Sequence, residues 1–228
     1  MKVLHHVLNA ILPYECPCCE SNFLEPFMTL CTDCTGYFNK NLQSGNLSIN
    51  DLCNARFIDQ REFYFNNLYF LGNYTAREKV VFQKAKFQDD ALMQSCLLSY
   101  LIKIFSEQFK NRVNRVIPAP SSREIIRFFS SQLARSCEIP LSIVFKKTRK
   151  QQNKKMDQFS RFSEIQNNII FNPHKKIQLK PDEKILIFDD LWTTGATMNH
   201  LCRLLVEQGI PREQIDVLVL FIRPKISP

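Results

Sequence analysis

Two carboxylates and a short run of hydroxyls around one glycine stand out in residues 185–197, ILIFDDLWTTGAT. Asp189 and Asp190 follow an apolar stretch, and Thr193, Thr194, Gly195, Ala196 and Thr197 come after two further residues. Ionised carboxylates accept strongly from sugar hydroxyls and repel phosphate. A glycine-threonine turn that opens a helix does the reverse. Its N–H groups point one way and, with the helix dipole and the hydroxyls, attract an anion. The two halves together describe a site for a sugar that carries a phosphate at one end. A lone acid before a helix would be an N-cap. Two acids ahead of T-T-G-A-T exceed what a cap needs.

A second chemistry lies in the nine cysteines. Cys16 and Cys19 form one C-x-x-C, Cys31 and Cys34 another, with eleven residues between the pairs. Two such knuckles can present four thiolates tetrahedrally to one zinc ion. The rival is a pair of disulfides. The N-terminal MKVLHHVLNAILPYEC has its apolar run broken by His5 and His6 and shows no small-residue cleavage site. It reads instead as a short amphipathic helix, with Leu4, Leu8, Ile11 and Leu12 on one face. A cytoplasmic, reducing setting follows as the expectation, and it disfavours disulfides. Cys18 can compete for the metal, but the spacing favours Cys16 with Cys19. Cys53, Cys96, Cys137 and Cys202 lie in apolar surroundings and read as small core residues.

The charge is unevenly spread. Residues 1–60 carry three Lys/Arg against six Asp/Glu, whereas residues 61–228 carry 27 against 16. The densest basic run, KKTRKQQNKK, holds Lys146, Lys147, Arg149, Lys150, Lys154 and Lys155. It is either a solvated loop or a landing surface for the phosphates of a nucleotide or a nucleic acid strand. No apolar run approaches the length of a membrane helix, so no membrane insertion is expected.

The elements that must position these groups follow an α/β pattern. Residues 13–40 read as a knuckle module, followed by a polar connector with little periodicity to about residue 62. Strands are expected at 68–74, 115–120, 141–145, 184–188 and 216–222. Helices are expected over 91–109, where Leu92, Cys96, Leu97, Leu101, Ile104 and Phe105 recur at helical spacing, over 123–137, and from 194 to Gly209. Strands alternating with helices imply a parallel sheet covered on both faces. The organisation expected is therefore a zinc-binding module and connector over 1–62 and an α/β domain over 63–228. The ILIFDDLWTTGAT stretch then falls at the carboxyl end of a buried strand, where open α/β sheets bind ligands.

Apolar strand, Asp-Asp, two further residues and Thr-Thr-Gly-x-Thr resembles the phosphoribosyl pyrophosphate loop of type I phosphoribosyltransferases. Along nearly its full length the chain resembles the ComF family, competence-associated proteins that join a zinc-binding N-terminus to a phosphoribosyltransferase-like domain. ILPYECPCC and CTDC look like the two knuckles of that family. QKAKFQ resembles its Lys-aromatic segment and puts Lys86 in the matching position, and VIPAPSSR resembles the strand and loop that face the pyrophosphate. The chain also departs from the family. Arg127, Phe128, Phe129, Ser130 and Ser131 stand where Arg-Gly-Phe-Asn-Gln is usual, and only Cys53 remains of a later cysteine pair. Arg161 matches an arginine after the basic loop, but the asparagine expected after it does not line up. Trp192 stands where smaller apolar residues are common, either as packing or as a wall for the ribose.

The resemblance implies a phosphoribosyltransferase-like fold, a structural zinc, and phosphoribosyl pyrophosphate or a ribose-5-phosphate-like ligand with magnesium. Lys86 and Arg123 would then stabilise the pyrophosphate. Two functional readings stay open. One is an accessory of DNA uptake in natural transformation that binds single-stranded DNA and works with a ComFA-like ATPase. The other is a catalytically active phosphoribosyltransferase of nucleotide salvage. No base-specificity segment can be read in the sequence, and this absence and the basic excess favour the first.

Overall fold

The computed structural model describes residues 14–23, 29–43, 45–48, 51–52, 62–121, 123–148 and 168–223. A two-stranded antiparallel hairpin opens it, β1 (Tyr14–Glu15) with β2 (Asn22–Phe23), followed by helix α1 (Thr32–Asn41). The main sheet contains β3 (Gly45–Ser48), β4 (Asn67–Asn73), β5 (Arg115–Pro118), β8 (Ile185–Trp192) and β9 (Ile215–Ile222). Its spatial order is β3-β4-β9-β8-β5, parallel throughout except for β3. Helices α2 (Ala76–Phe87) and α3 (Ala91–Phe109) connect β4 to β5, α4 (Glu124–Ser136) follows β5, and α5 (Ala196–Glu207) joins β8 to β9. A separate antiparallel hairpin, β6 (Phe145–Lys147) with β7 (Ile169–Phe171), lies between α4 and β8. Among the described residues, no helix is long and apolar enough to cross a membrane.

The sheet is covered on both faces, which is why β9 reads IDVLVLFI and is buried at all eight positions. Leu186, Phe188, Leu218 and Leu220 point to one face, where α2, α3, α4 and the cysteine module pack. Ile185, Ile187, Val217 and Val219 point to the other, against α5, Val144, Phe145 and Ile169. Burying one such side chain contributes about 1.5–3 kcal/mol. Asp90 starts α3, its Oδ1 accepting from the amides of Leu92 and Met93 at 3.0 and 3.1 Å. That cap contributes about 1 kcal/mol. Met93, Leu97, Leu101, Phe105 and Phe109 then form the buried stripe of α3.

Four sequence expectations change. The strand expected at 184–188 runs on through both aspartates to Trp192, because β9 stays paired beside it to Ile222. The stretch expected as a strand over 141–145 makes a single bridge, Leu141 to Val116, before leaving the sheet for the β6–β7 hairpin. Within the connector, Gly45–Ser48 adds an antiparallel edge strand to the sheet. Leu92, placed on the apolar face of α3 by its spacing, is instead 60% exposed. The N-terminal helix, Cys53 and Arg161 lie outside the described residues.

Candidate phosphoribosyl site and cysteine cluster

The two aspartates stand where the face alternation of β8 changes phase. Ile185 and Ile187 face one core and Leu186 and Phe188 the other, yet Leu191 packs with the second group and Trp192 with the first. The same change occurs in β9, where Leu220 and Phe221 both belong to one core. At the turn, the amide of Asp190 donates to Oδ1 of Asp189 at 2.9 Å. Asp189 is half-buried and Asp190 is buried. Burial raises the Asp189 carboxyl to about 7, and the neighbouring charge of Asp190 adds to that; Lys86 and Lys147 oppose it.

Opposite Asp190 stands Lys86, near the end of α2, its ammonium paired with Oδ2 of the aspartate. The same ammonium lies 5.3 Å from the ring centre of Phe82 and 5.6 Å from that of Phe87. Arg123 enters from the start of α4. Its Nη1 donates to the carbonyl of Lys86 at 3.0 Å and its guanidinium covers Phe87 at 4.7 Å. Asp190, Lys86 and Arg123, from three parts of the chain, therefore meet at the carboxyl edge of the sheet.

The loop after β8 supplies the other half. Thr193 is exposed, and Thr194, Ala196 and Thr197 are half-buried. Gly195 caps α5 in the left-handed region at φ 73° and gives the helix no side-chain cap bond. A Cβ there would lie 2.3 Å from Cζ2, 2.6 Å from Cη2 and 2.9 Å from Cε2 of Trp192. Glycine is thus demanded twice, by φ and by the indole beneath it. Trp192 is 1% exposed and packs edge-on to Phe65, so it is a floor under the loop rather than an open wall.

Sequence reasoning missed Tyr74 and Arg223 at this edge. Tyr74 follows β4 and packs on Phe82 and Phe221; its hydroxyl is pushed up by burial, with Arg223 opposing and Asp190 adding. Arg223 follows β9, and its amide donates to the carbonyl of Trp192 at 2.9 Å. Lys147 on β6, the second residue of the basic run, slightly opposes the rise of the Asp189 carboxyl. Of the rest of that run, Lys146 is exposed on β6, and Arg149, Lys150, Lys154 and Lys155 lie outside the described residues. The divergent segment 127–131 lies in α4. Phe129 is core there, Ser130 bonds back to the carbonyl of Ile126 at 2.7 Å, and Phe128 is exposed.

The two acids of β8 and the glycine-capped start of α5 fall inside a stretch that a family comparison recognises. Residues 118–225 match the phosphoribosyl transferase domain. No curated protein matches the chain. Among solved structures, the adenine phosphoribosyltransferase of Leishmania tarentolae is similar at 8% identity and TM-score 0.43, covering 72% of this chain and 94% of that one. The hypoxanthine phosphoribosyltransferase of Staphylococcus aureus is similar at 13% identity and TM-score 0.36, over 57% and 64% of the two chains. That of Leishmania donovani, again for adenine, stands at 9% and 0.40, over 61% and 68%. The match begins at Pro118, so β4, α2 and Lys86 precede the matched span, although β4 pairs with β9 and Lys86 with Asp190 inside it.

Cys16, Cys19, Cys31 and Cys34 bring their sulfurs within 4.8 Å of one another, a set that can bind zinc. The β1–β2 hairpin carries the first pair and is closed by Glu20, at φ 63°, whose amide donates to the carbonyl of Cys16 at 2.8 Å. The second pair opens α1, with Cys31 as its N-cap. Backbone amides already point at sulfur: that of Cys31 at Cys16, and that of Cys34 at Cys31, both at 3.5 Å. Bonds from Ser21 lower the Cys19 thiol to about 6, whereas burial raises that of Cys34. Cys18 is buried beside the four. Cys96, Cys137 and Cys202 are buried, as their apolar surroundings imply.

Proposed function

We propose that residues 189–197 bind the ribose and 5-phosphate of phosphoribosyl pyrophosphate or a similar ligand. Asp189 and Asp190 take the sugar hydroxyls. Thr193, Thr194, Gly195, Ala196 and Thr197 take the phosphate at the start of α5. Lys86 and Arg123 stand on the pyrophosphate side, where magnesium would accompany the ligand. The observation that carries this reading is the meeting of Asp190, Lys86 and Arg123 beside the glycine-capped helix. Lys86 pairs with Asp190, and the ligand's hydroxyls and pyrophosphate would share those two partners between them.

Zinc held by Cys16, Cys19, Cys31 and Cys34 has a structural role in this reading. The wider role is that of a ComF-like cytoplasmic protein of DNA uptake, acting with a ComFA-like ATPase. Its single-stranded DNA would run along the basic stretch that starts at Lys146 and Lys147. The influence of Lys147 on Asp189 supports placing that strand next to the ribose site. The alternative is a working phosphoribosyltransferase, and the same cations would then stabilise the departing pyrophosphate.

Isothermal titration with phosphoribosyl pyrophosphate and magnesium, with single-stranded DNA in parallel, tests both parts. Saturable, one-to-one binding of the sugar phosphate is expected, together with DNA binding that weakens steeply with salt. No heat with phosphoribosyl pyrophosphate would overturn the ligand assignment. Pyrophosphate release in the presence of free bases would favour the enzyme.

A further inference from the structure

We infer that Trp192 is a positioning residue for the phosphate loop, holding Gly195 in its left-handed conformation from below; this rests on the cradle reading above. Three ring atoms of the indole lie 2.3–2.9 Å from where a Cβ on Gly195 would be. The nearest is Cζ2, with its two bonded neighbours almost as close, so the glycine sits over the flat face of the six-membered ring. The ring cannot easily give way. Phe65 packs edge-on at 5.9 Å, and the main chain of Trp192 is pinned by the Arg223 amide and by pairing to Ile222.

The loop above has little else to define its shape. Gly195 supplies no side-chain cap, and the bond from the Ala196 amide to Thr194 Oγ1 is long, at 3.4 Å. The helix-start amides therefore stay available for an anion, and their aim is set by the surface beneath them. That surface is a rigid plane because the phase change in β8 turns residue 192 toward this core.

The indole also occupies its place at a cost. Its Nε1–H is buried and has no hydrogen-bond partner among the described residues. An orphaned donor of this kind is unfavourable, so packing alone gives no reason to prefer an indole to a phenyl or leucyl group. What the indole offers beyond an aliphatic side chain is a broad flat face.

The test uses the full chain and two probes, inorganic phosphate and phosphoribosyl pyrophosphate with magnesium, read by calorimetry beside the melting temperature. Trp192→Leu removes the plane, and affinity for both probes should fall about tenfold or more, since small misplacements of binding groups are costly. Trp192→Phe keeps an aromatic ring and removes the orphaned N–H, but a phenyl does not reach the positions of Cζ2 and Cη2 under Gly195. Its affinity for both probes should fall measurably below wild type, but less than in Trp192→Leu. A merely structural role would lower the melting temperature of Trp192→Leu and leave its affinity alone. That result, or a Phe variant that binds both probes as wild type does, overturns the inference.

Should Trp192→Leu not fold, Trp192→Phe and Gly195→Ala are measured singly and together. Losses in phosphate affinity that fail to add support a direct ring–glycine coupling, and additive losses overturn it. If wild type binds neither probe, the cradle reading itself falls and takes this inference with it. If wild type binds both and the variants match it, only the role of Trp192 falls.

Discussion

Two helix starts in this molecule solve the same problem in opposite ways. At α1 the cap is Cys31, whose sulfur accepts from the amide of Cys34 while lying in the four-sulfur cluster. At α5 the cap is Gly195, which has no side chain to offer. Both starts carry unpaired amides and a positive dipole end. In the first, the protein's own sulfurs take up that potential and fix the module. In the second, it is left for something from outside. On the reading proposed above, a binding site is a helix start whose cap has been withheld, and a structural centre is one whose cap has been multiplied.

The largest effect should come from the filled start. Zinc bound at neutral pH by such thiolate sets is stabilising by about 10–16 kcal/mol. Metal analysis of protein purified without chelator should find about one zinc per chain. Cys31→Ser with Cys34→Ser should abolish it and unfold the module before the sheet, as followed by circular dichroism during chelation. Full metal retention in that double variant would break the comparison at its first term.

Next comes Gly195→Val. It forces a branched residue to φ 73° and drives its Cβ into Trp192. Strain and overpacking together should cost about 3 kcal/mol or more, visible in thermal denaturation along with lost phosphate binding. A variant of undiminished stability would mean that the indole is not the floor described here.

The acids should give a smaller and more selective effect. Asp190→Asn should weaken phosphoribosyl pyrophosphate by about 1.5–3 kcal/mol at most and leave inorganic phosphate unaffected. Asp189 adds a pH signature. Its folded value of about 7 exceeds the ordinary 3.8, so between those values the folded state holds a proton that the unfolded state has lost. Ligand-free stability should therefore fall as pH rises through that window and level off above about 7, by about 1–3 kcal/mol after allowance for solvent screening. Asp189→Asn should remove the slope. A denaturant midpoint that falls over the same window in that variant would assign the titration elsewhere.

Smallest per residue is the basic run. Each strand phosphate released by neutralising Lys146, Lys147, Arg149 or Lys150 should lower the slope of log affinity against log salt by about 0.7. An unchanged slope for single-stranded DNA would return the run to a solvated loop.

The parts legible in the sequence were those whose signal is local. The cysteine spacing, the acid-threonine-glycine run and the stripe of α3 each declare themselves over a short length of chain. Helix α2 did not, because Val80, Val81 and Phe82 are consecutive rather than spaced along one face. The edge strand β3 stayed hidden in a polar stretch, since its partner β4 supplies the reason for it to be extended. At the site, the acids and the loop were readable, but the pairing of Lys86 with Asp190 exists only once α2 is laid on the sheet. The place of Trp192 depends on a change of alternation that no period-two reading contains.

That change of alternation also sets a clock. The amide of Asp190 is held by the carboxylate of Asp189 rather than by the ladder, while its neighbour β9 is buried at every position between two parallel strands. In heavy water the β9 amides should exchange only when the whole domain opens, and that of Asp190 when one side chain lets go. Isotope uptake would thus run at two rates a few ångströms apart. A ligand that engages Asp189 should change the fast rate far more than the slow one, so a single amide would report the occupancy of the site against an internal standard in the adjoining strand.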